Sequence, residues 1–382
     1  MNIVLLINEF TIVNLTILGI ILLLKRPLGI QNMVLSLLVF IPAVAILFNT
    51  LLYYDLVGKF PIALILTFSL NMLWSPAFYL YVLLMTGVMY KPQQKDAIHL
   101  IPLMISLMVI TPMLFLPKDE FLFVIENSKR ILPWQFNLVN LMLALQCVVY
   151  VTLSYIKLKK YNHEVKNLFS DIQKISVFWL QGLITIALVL FVTIFPPIIY
   201  FQKLDYFLFF LPIGLNCIYL FLVFKTLSSP ILFTPKVREV LSLKNEIDDK
   251  LKNNGRSLST KASDPQLSNI AERLLCFFEE HKPYLNPELN IKLLSEQTGI
   301  LIHPMSAALN QQIGMNFYDF VNSYRIKYAI DLMNEQNVEK YKIDFLIQES
   351  GFKSRSVFYS AFKKETGCTP SEFRQVNLNK NV

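Results

Sequence analysis

The stretch that decides the fold of the C-terminal part is residues 351–374, GFKSRSVFYSAFKKETGCTPSEFR. Gly351 permits a turn, Ser354 is a typical helix N-cap, and Gly367 ends a helix that we predict over about 355–365. Thr369-Pro370 has the pattern of a further helix start. The side of this segment that we expect to be buried comprises Phe352, Val357, Phe358, Ala361 and Phe362.

The residues before Gly351 predict a short helix over 342–350, so that two helices flank a glycine turn. A similar pair occurs about 50 residues earlier, with one helix that ends at Gly299 and a second over about 303–312. A single helical hairpin is a weak signal, but two at this spacing indicate two helix-turn-helix units. A long helix over 316–335 joins them. Its predicted core stripe consists of Phe317, Phe320, Val321, Tyr324, Ala329, Ile330 and Met333.

These two segments carry a family resemblance. Residues 351–374 resemble the signature of the second helix-turn-helix unit of the AraC/XylS transcription regulators, and NFYDFVNSYRIKYAIDLM (316–333) is similar to their connecting helix. The resemblance covers about 265–376 and implies a DNA-binding domain. A chain with several membrane spans ahead of such a domain is similar to the membrane-bound AraC-type regulators of Bacteroidetes.

The second unit offers candidate contacts to duplex DNA. Only the exposed face of a recognition helix reaches base edges in the major groove. The residues on or near that face are Arg355, Ser356, Tyr359 and Ser360. Arg355 is the expected bidentate partner of a guanine. The residues suited to phosphate contacts, which position a domain without reading sequence, are Lys353, Lys363 and Lys364. The alternative is that all of these are ordinary solvated helix residues.

In the first unit, the resemblance places base-facing residues at His303, Ser306, Ala307 and Asn310. Asn310 could read adenine or act as a surface or capping residue, and a surface or capping role is also open for His303. Leu301 stands where a Ser or Thr cap is typical, and the helix over 303–312 contains no Lys or Arg. We therefore expect the first unit to bind DNA more weakly or less specifically than the second.

The rest of the chain has a different composition. Over all 382 residues, 54% are hydrophobic and 16% are charged, against roughly 25% charged residues in soluble proteins. This excludes a wholly soluble enzyme, a disordered tail protein and a disulfide-rich scaffold. Residues 1–225 contain apolar runs long enough to cross about 30 Å of hydrocarbon. We predict seven spans, over about 3–24, 30–53, 62–89, 98–116, 135–156, 176–200 and 206–225.

The distribution of charge predicts the orientation of these spans. The loops after the first, third and fifth runs hold nine Lys and Arg residues, and the loops after the other runs hold five. Because basic loops stay inside, the N-terminus is expected outside and the C-terminal domain in the cytoplasm. The net charge of +8 divides into +6 for residues 1–225, +2 for 226–264 and zero for 265–382. The expected location is the cell inner membrane, as a multi-pass protein.

The predicted fold class is all-α, with a seven-helix transmembrane bundle followed by a cytoplasmic helical DNA-binding domain with two helix-turn-helix units. Its parts are a membrane domain over 1–225, a linker over 226–264 with a short amphipathic helix, the DNA-binding domain over 265–376 and a tail over 377–382. The neutral charge of the DNA-binding domain predicts modest, salt-sensitive affinity. A homodimer, or several copies confined to one membrane, is the expected compensation.

The sequence predicts a membrane-embedded, sequence-specific transcription regulator that couples a sensed signal to gene expression. Its expected partners are double-stranded DNA, the lipid bilayer and a signal ligand of unknown identity, and we expect no metal, no cofactor and no catalysis. A second hypothesis is an intramembrane transporter or enzyme with a regulatory DNA- or protein-binding tail. Against it, the sequence holds no HExxH, GxSxG or P-loop motif. A third is a receptor whose helical tail binds a partner protein.

Overall fold

The computed structural model describes residues 3–25, 29–54, 56, 62–86, 94–127, 134–172, 179–182, 184, 212–221, 223–224, 240, 264–334 and 342–380. Within these residues the chain is helical, apart from turns and one isolated antiparallel bridge. It divides into two compact units. The N-terminal unit comprises Met1–Lys160 and Val177–Pro230, and the C-terminal unit comprises Tyr161–Ser176 and Ile231–Val382.

The described helices of the N-terminal unit are α1 (Ile3–Leu24), α2 (Ile30–Tyr53), α3 (Ile62–Leu70), α4 (Trp74–Thr86), α5 (Ile101–Ile110), α6 (Lys118–Asn127), α7 (Trp134–Leu168) and α8 (Pro212–Phe221). Short 3₁₀ turns join α3 to α4 and flank α5. α7 contributes to both units, because the division falls after Lys160.

Five of the described helical stretches are long and apolar enough to cross a membrane. They are Ile3–Leu24, Ile30–Phe48, Thr67–Thr86, Asp96–Phe115 and Trp134–Leu168. These match the first five apolar runs of the sequence. The sixth predicted run, 176–200, falls largely outside the described residues, as does the linker over 226–264. The seventh, 206–225, is described in part and contains the shorter apolar helix Pro212–Phe221. The count of seven spans therefore stays a prediction.

α1 and α2 pack closely where their side chains are small. The hydroxyl of Ser36 donates to the carbonyl of Gly19 over 3.0 Å, and both residues are buried. A Cβ at Gly19 would lie 2.6 Å from Cζ of Phe40, so the ring of α2 occupies the space of the missing side chain. Small residues and interhelical hydrogen bonds of this kind hold helices together where no hydrophobic effect acts between them.

Several helices of the N-terminal unit turn apolar side chains outward and polar side chains inward. On α1, Phe10 is 66% exposed while Asn8 is 5% exposed. On α7, Leu145 is 61% exposed while Gln146 and Ser154 are buried. The amide of Gln146 donates to the carbonyl of Met72 over 2.9 Å. Many exposed apolar side chains together with buried polar ones are unusual for helices that face water.

The described helices of the C-terminal unit, besides the end of α7, are α9 (Asp264–His281), α10 (Ile291–Thr298), α11 (Ile302–Ala308), α12 (Phe317–Asn334), α13 (Ile343–Glu349), α14 (Arg355–Thr366) and α15 (Pro370–Lys380). They follow the predicted order. A wider π turn over Leu309–Ile313 extends α11 to Gly314. Two helix pairs, α10–α11 and α13–α14, are thus joined by the long helix α12.

Two apolar clusters lie along α12. At its N-terminal end, the rings of Phe278, Tyr284, Phe320 and Tyr324 stack or cross with centroids 4.7–6.1 Å apart. At its C-terminal end, a core gathers residues of α12, α13 and α14 and of the turn before α14. The members of this second core are Ile326, Ala329, Met333, Leu346, Ile347, Phe352, Phe358, Ala361 and Phe362. The first cluster packs α9 and the turn over Pro283–Leu285 on α12, and the second packs the pair α13–α14 on it.

Candidate nucleic-acid interface

α14 is positioned by its two ends and its apolar face. The Ser354 hydroxyl accepts from the backbone N–H of Val357, and Gly367 ends the helix at φ 79°. Phe358 and Phe362 are fully buried in the second core, so the opposite face of the helix is exposed. Lys363 and Lys364 occupy the last turn, where positive charge is favoured by the helix dipole.

Arg355 lies on that exposed face, at the first position of α14. Its Nη2 donates to the Tyr359 hydroxyl over 3.2 Å, and its guanidinium carbon lies 5.3 Å from the centroid of the Tyr359 ring. The hydrogen bond that Arg355 donates to Tyr359, then the charge of Tyr359 and that of Asp344, raise the pKa of Arg355 above its ordinary value. The guanidinium is thus oriented along the helix and permanently charged, as recognition of a planar acceptor pair requires.

The other predicted base-reading residues of this helix lie around Arg355. Ser356 and Ser360 are exposed and Tyr359 is partly exposed. The Ser356 hydroxyl lies 2.9 Å from that of Ser354, the N-cap. These small hydroxyls leave room beside Arg355 and can donate to or accept from a base edge. The structure therefore brings the four predicted residues of the second pair together on one surface.

The predicted phosphate-binding lysines are partly engaged by carboxylates. Lys353 Nζ lies 2.7 Å from Glu288 Oε1, and Lys364 Nζ lies 2.7 Å from Asp319 Oδ1. Both pairs retain substantial solvent exposure, so their net stabilisation is small. Both lysines therefore pair with a carboxylate while they remain accessible to solvent.

The predicted base-facing residues of the first pair lie in a different environment. His303, Ser306 and Ala307 are each partly buried and Asn310 is exposed. Ala307 packs against a small apolar cluster that consists of Leu267 and Ala271 of α9 and Ala308 of α11. The Asn310 amide donates to the Ser306 carbonyl over 2.8 Å, which occupies one of its two donors.

The start of α11 is as weakly capped as the sequence indicates. Leu301 holds the N-cap position in an extended conformation and makes no side-chain hydrogen bond to the helix. By contrast, Asn290 caps α10 by accepting from the N–H of Leu293 over 3.1 Å. The end of α11 departs into a π turn, a feature that often accompanies functional sites.

Sequence reasoning missed a buried polar centre on α12. Arg325 is 1% exposed and Asn322 is 3% exposed, although the predicted core stripe contained neither. Arg325 Nε donates to the Tyr284 carbonyl over 2.7 Å, and its Nη1 donates to Asn322 Oδ1 over 3.3 Å. Burial lowers the pKa of Arg325 to about 10, so it stays protonated at neutral pH. The sequence offered one signal of this burial. Arg325 lies four residues, about one helical turn, from the core residues Val321 and Ala329.

The turn of the second pair rests on this centre. The ring of Phe352 lies with its centroid 5.5 Å from the Arg325 guanidinium carbon. Gly351 has φ 79°, and a Cβ there would lie 2.6 Å from the Tyr284 carbonyl oxygen and 2.7 Å from that of Leu285. The approach of two backbones therefore demands glycine on both conformational and steric grounds.

Comparisons with known proteins agree with this geometry. Residues 294–376 match the family described as a helix-turn-helix domain. The HTH-type transcriptional regulator ExsA of Pseudomonas aeruginosa is 32% identical over 111 residues, which are 29% of this chain and 38% of ExsA. The chain thus matches well under half of that relative's length. No solved structure matches the chain. Residues 294–376 form a helix-turn-helix domain similar to those of AraC-type transcription regulators.

Proposed function

We propose that this protein is a membrane-embedded, sequence-specific regulator of transcription, with α14 as its main recognition helix. The observation that carries the proposal is the exposed surface of α14, which places Arg355, Tyr359 and two serines between lysines within a helix-turn-helix domain. The relative ExsA is named a transcriptional regulator, which supports the same role here.

The second helix pair supplies most of the sequence discrimination in this proposal. Arg355 contacts a guanine, while Ser356, Tyr359 and Ser360 contact neighbouring bases or the backbone. Lys353, Lys363 and Lys364 bind phosphates and set the register of the helix. The first pair, with His303, Ser306, Ala307 and Asn310, contributes a weaker contact, because Ala307 packs on α9 and the helix lacks basic residues.

The surface of the N-terminal unit supports its insertion in a lipid bilayer. The five long apolar helices have the length to span the hydrocarbon, many of their large apolar side chains are exposed, and several of their polar side chains, such as Asn8 and Gln146, are buried. Within the unit, the Asn216 amide of α8 donates a hydrogen bond to the Thr11 hydroxyl of α1 and accepts one from the Asn14 amide. Such buried amide pairs hold helices together in lipid and also provide a polar lining that a signal molecule could rearrange.

The number of membrane crossings is constrained by the C-terminal unit. Residues 161–172, at the end of the fifth apolar helix, pack in the same unit as residues 264–380. In the proposed arrangement both segments lie on one side of the membrane, which is compatible with any even number of crossings between them, zero included. Two further spans, over about 176–200 and 206–225, satisfy this requirement and give seven. The basic loops then place the C-terminal unit in the cytoplasm.

The function is tested with the full chain reconstituted in lipid nanodiscs. A library of random duplexes is bound at low salt, recovered and sequenced through successive rounds. We expect enrichment of one motif containing a guanine that Arg355 reads, and loss of preference at that position for Arg355→Ala. The proposal is wrong if no motif is enriched over the starting library.

A further inference from the structure

The C-terminal unit contains a short segment, within residues 161–176, that lies about 90 residues before α9 in the chain. α7 ends at Leu168, and the following residues Phe169, Ser170 and Ile172 are almost completely buried. They are buried within the C-terminal unit, to which Tyr161–Ser176 belongs. Residues 169–172, which we name the docking segment, thus connect directly to the longest apolar helix of the chain.

The docking segment contacts the start of the first helix pair. Phe169 forms an antiparallel β-bridge with Asn290, the residue that caps α10. The hydroxyl of Ser170 donates to the carbonyl of Leu289. The backbone bridge and this side-chain hydrogen bond fix the segment against the N-terminal end of α10.

The same segment contacts α12 through its buried polar centre. The Ser170 carbonyl accepts from the Asn322 amide over 3.4 Å, and the Ser170 hydroxyl accepts from Arg325 Nη2 over 3.4 Å. That Nη2 also donates to the Asn286 carbonyl over 3.0 Å. Asp171 adds a negative charge close enough to favour the protonated form of Arg325.

Arg325 extends this set of contacts to the second helix pair. Its Nε binds the Tyr284 carbonyl, against which Gly351 packs, and its guanidinium faces the Phe352 ring. Gly351 and Phe352 form the turn that leads into α14. A buried guanidinium has several N–H donors in one rigid plane. Loss of one acceptor therefore leaves one N–H without a partner and shifts the guanidinium relative to its remaining acceptors.

We propose that the docking segment is an intramolecular brace that ties α7 to both helix pairs, with Arg325 as the residue that joins them. Displacement of α7 would withdraw Ser170 from Arg325 and Leu289, and both the cap of α10 and the turn before α14 would loosen. The last step, a change in DNA binding, rests on the proposed function. The docking itself does not.

The test compares wild type with Ser170→Ala in the full chain in lipid nanodiscs. The substitution removes one donor and one acceptor while it retains the backbone carbonyl that binds Asn322. Ser268→Ala, at an exposed position of α9 in the same unit, is the matched control. Asp171→Asn is a second variant, which removes the charge beside Arg325 without a change in shape.

The primary readout is hydrogen exchange of peptides that cover residues 284–290 and 350–354. For Ser170→Ala we expect about tenfold faster exchange in both peptides, with a smaller change of the same sign for Asp171→Asn and none for Ser268→Ala. Exchange equal to wild type in either peptide overturns the brace, because both helix pairs must respond.

The second readout is affinity for the motif selected with wild type. We expect Ser170→Ala to bind it roughly tenfold more weakly, and an unchanged affinity combined with faster exchange would overturn the coupling to DNA binding. If wild type selects no motif, the proposed function fails. The exchange measurement still decides whether the segment docks as a brace.

Discussion

Glu288 holds the ammonium of Lys353 at 2.7 Å, directly before the helix that carries Arg355. A carboxylate therefore occupies the place that the proposed function gives to a DNA phosphate beside α14. Asp319 holds Lys364 in the same way at the other end of α14. If the two lysines bind phosphates as proposed, DNA competes with both acids for them.

The first prediction concerns this competition. Glu288→Gln should raise the affinity for non-specific duplex DNA about threefold to tenfold and steepen its salt dependence by about one phosphate contact, because Lys353 no longer exchanges partners. The measurement is anisotropy of a labelled duplex over a series of salt concentrations.

Glu272→Gln is the matched control, since it makes the same change in net charge at an exposed position of α9. Equal gains for Glu272→Gln and Glu288→Gln would show that only the overall charge matters and that Lys353 makes no specific phosphate contact.

The second prediction concerns base reading. Arg355→Ala should lower the preference for the selected motif over its variants at one base pair by roughly tenfold to a hundredfold. Arg355→Lys should recover affinity but little of the preference, because a lysine cannot make the bidentate contact. Competition with single-base variants of the motif measures both quantities. An unchanged preference in Arg355→Ala would remove this residue from the recognition surface.

The third prediction compares two glycines with the same backbone conformation. Gly351 and Gly367 both have φ 79°, but a Cβ at Gly367 meets no atom within 4 Å. Gly367→Ala should cost about 1 kcal/mol of stability from backbone strain alone. Gly351→Ala should cost roughly 2–4 kcal/mol, because backbone carbonyls must also move.

Thermal unfolding of the two variants, followed by circular dichroism of the full chain in detergent, gives the order of their stabilities. The close packing of the second turn on residues 284–285 requires the Gly351 variant to melt at the lower temperature. The reverse order is incompatible with that packing.

The fourth prediction concerns alkaline pH. Burial, followed by the charges of Asp319 and Asp171, raises the pKa of Tyr318 to about 12, so the folded state retains the phenol proton more strongly than the unfolded chain. The resulting stability is fully present below the ordinary pKa of about 10 and is lost as the pH rises through 12. Tyr318→Phe should therefore lose less stability than wild type between pH 10 and 12. Thermal unfolding of both proteins at several pH values measures this. Equal losses of stability in wild type and Tyr318→Phe would contradict the raised pKa of Tyr318.

The elements of the C-terminal unit could be predicted because their determinants are local. Ser354 and Gly367 define the two ends of α14, and the absence of a polar cap at Leu301 was visible in the sequence. The prediction of the core stripe on α12 was largely confirmed, with Phe317, Phe320, Val321, Ala329 and Met333 buried.

The buried polar centre could not be predicted, because its partners are distant in the chain. Ser170 and Asn322 are separated by 152 residues, and no local pattern marks either as a partner of the other. Arg325 would ordinarily be assigned to the surface, since a charged residue is buried only where fixed acceptors compensate it. The sequence likewise shows Lys353 as a free cation, whereas its partner Glu288 comes from the first half of the unit.

The central claim is that the intact, membrane-anchored chain binds specific DNA sites. Genome-wide occupancy of the full-length protein in its own cells, with Arg355→Ala in parallel, tests this most directly. We predict discrete sites that share one motif and are lost in Arg355→Ala, while the amount of protein in the membrane is unchanged. Occupancy without discrete sites in wild type, or the same sites in both proteins, would contradict the account.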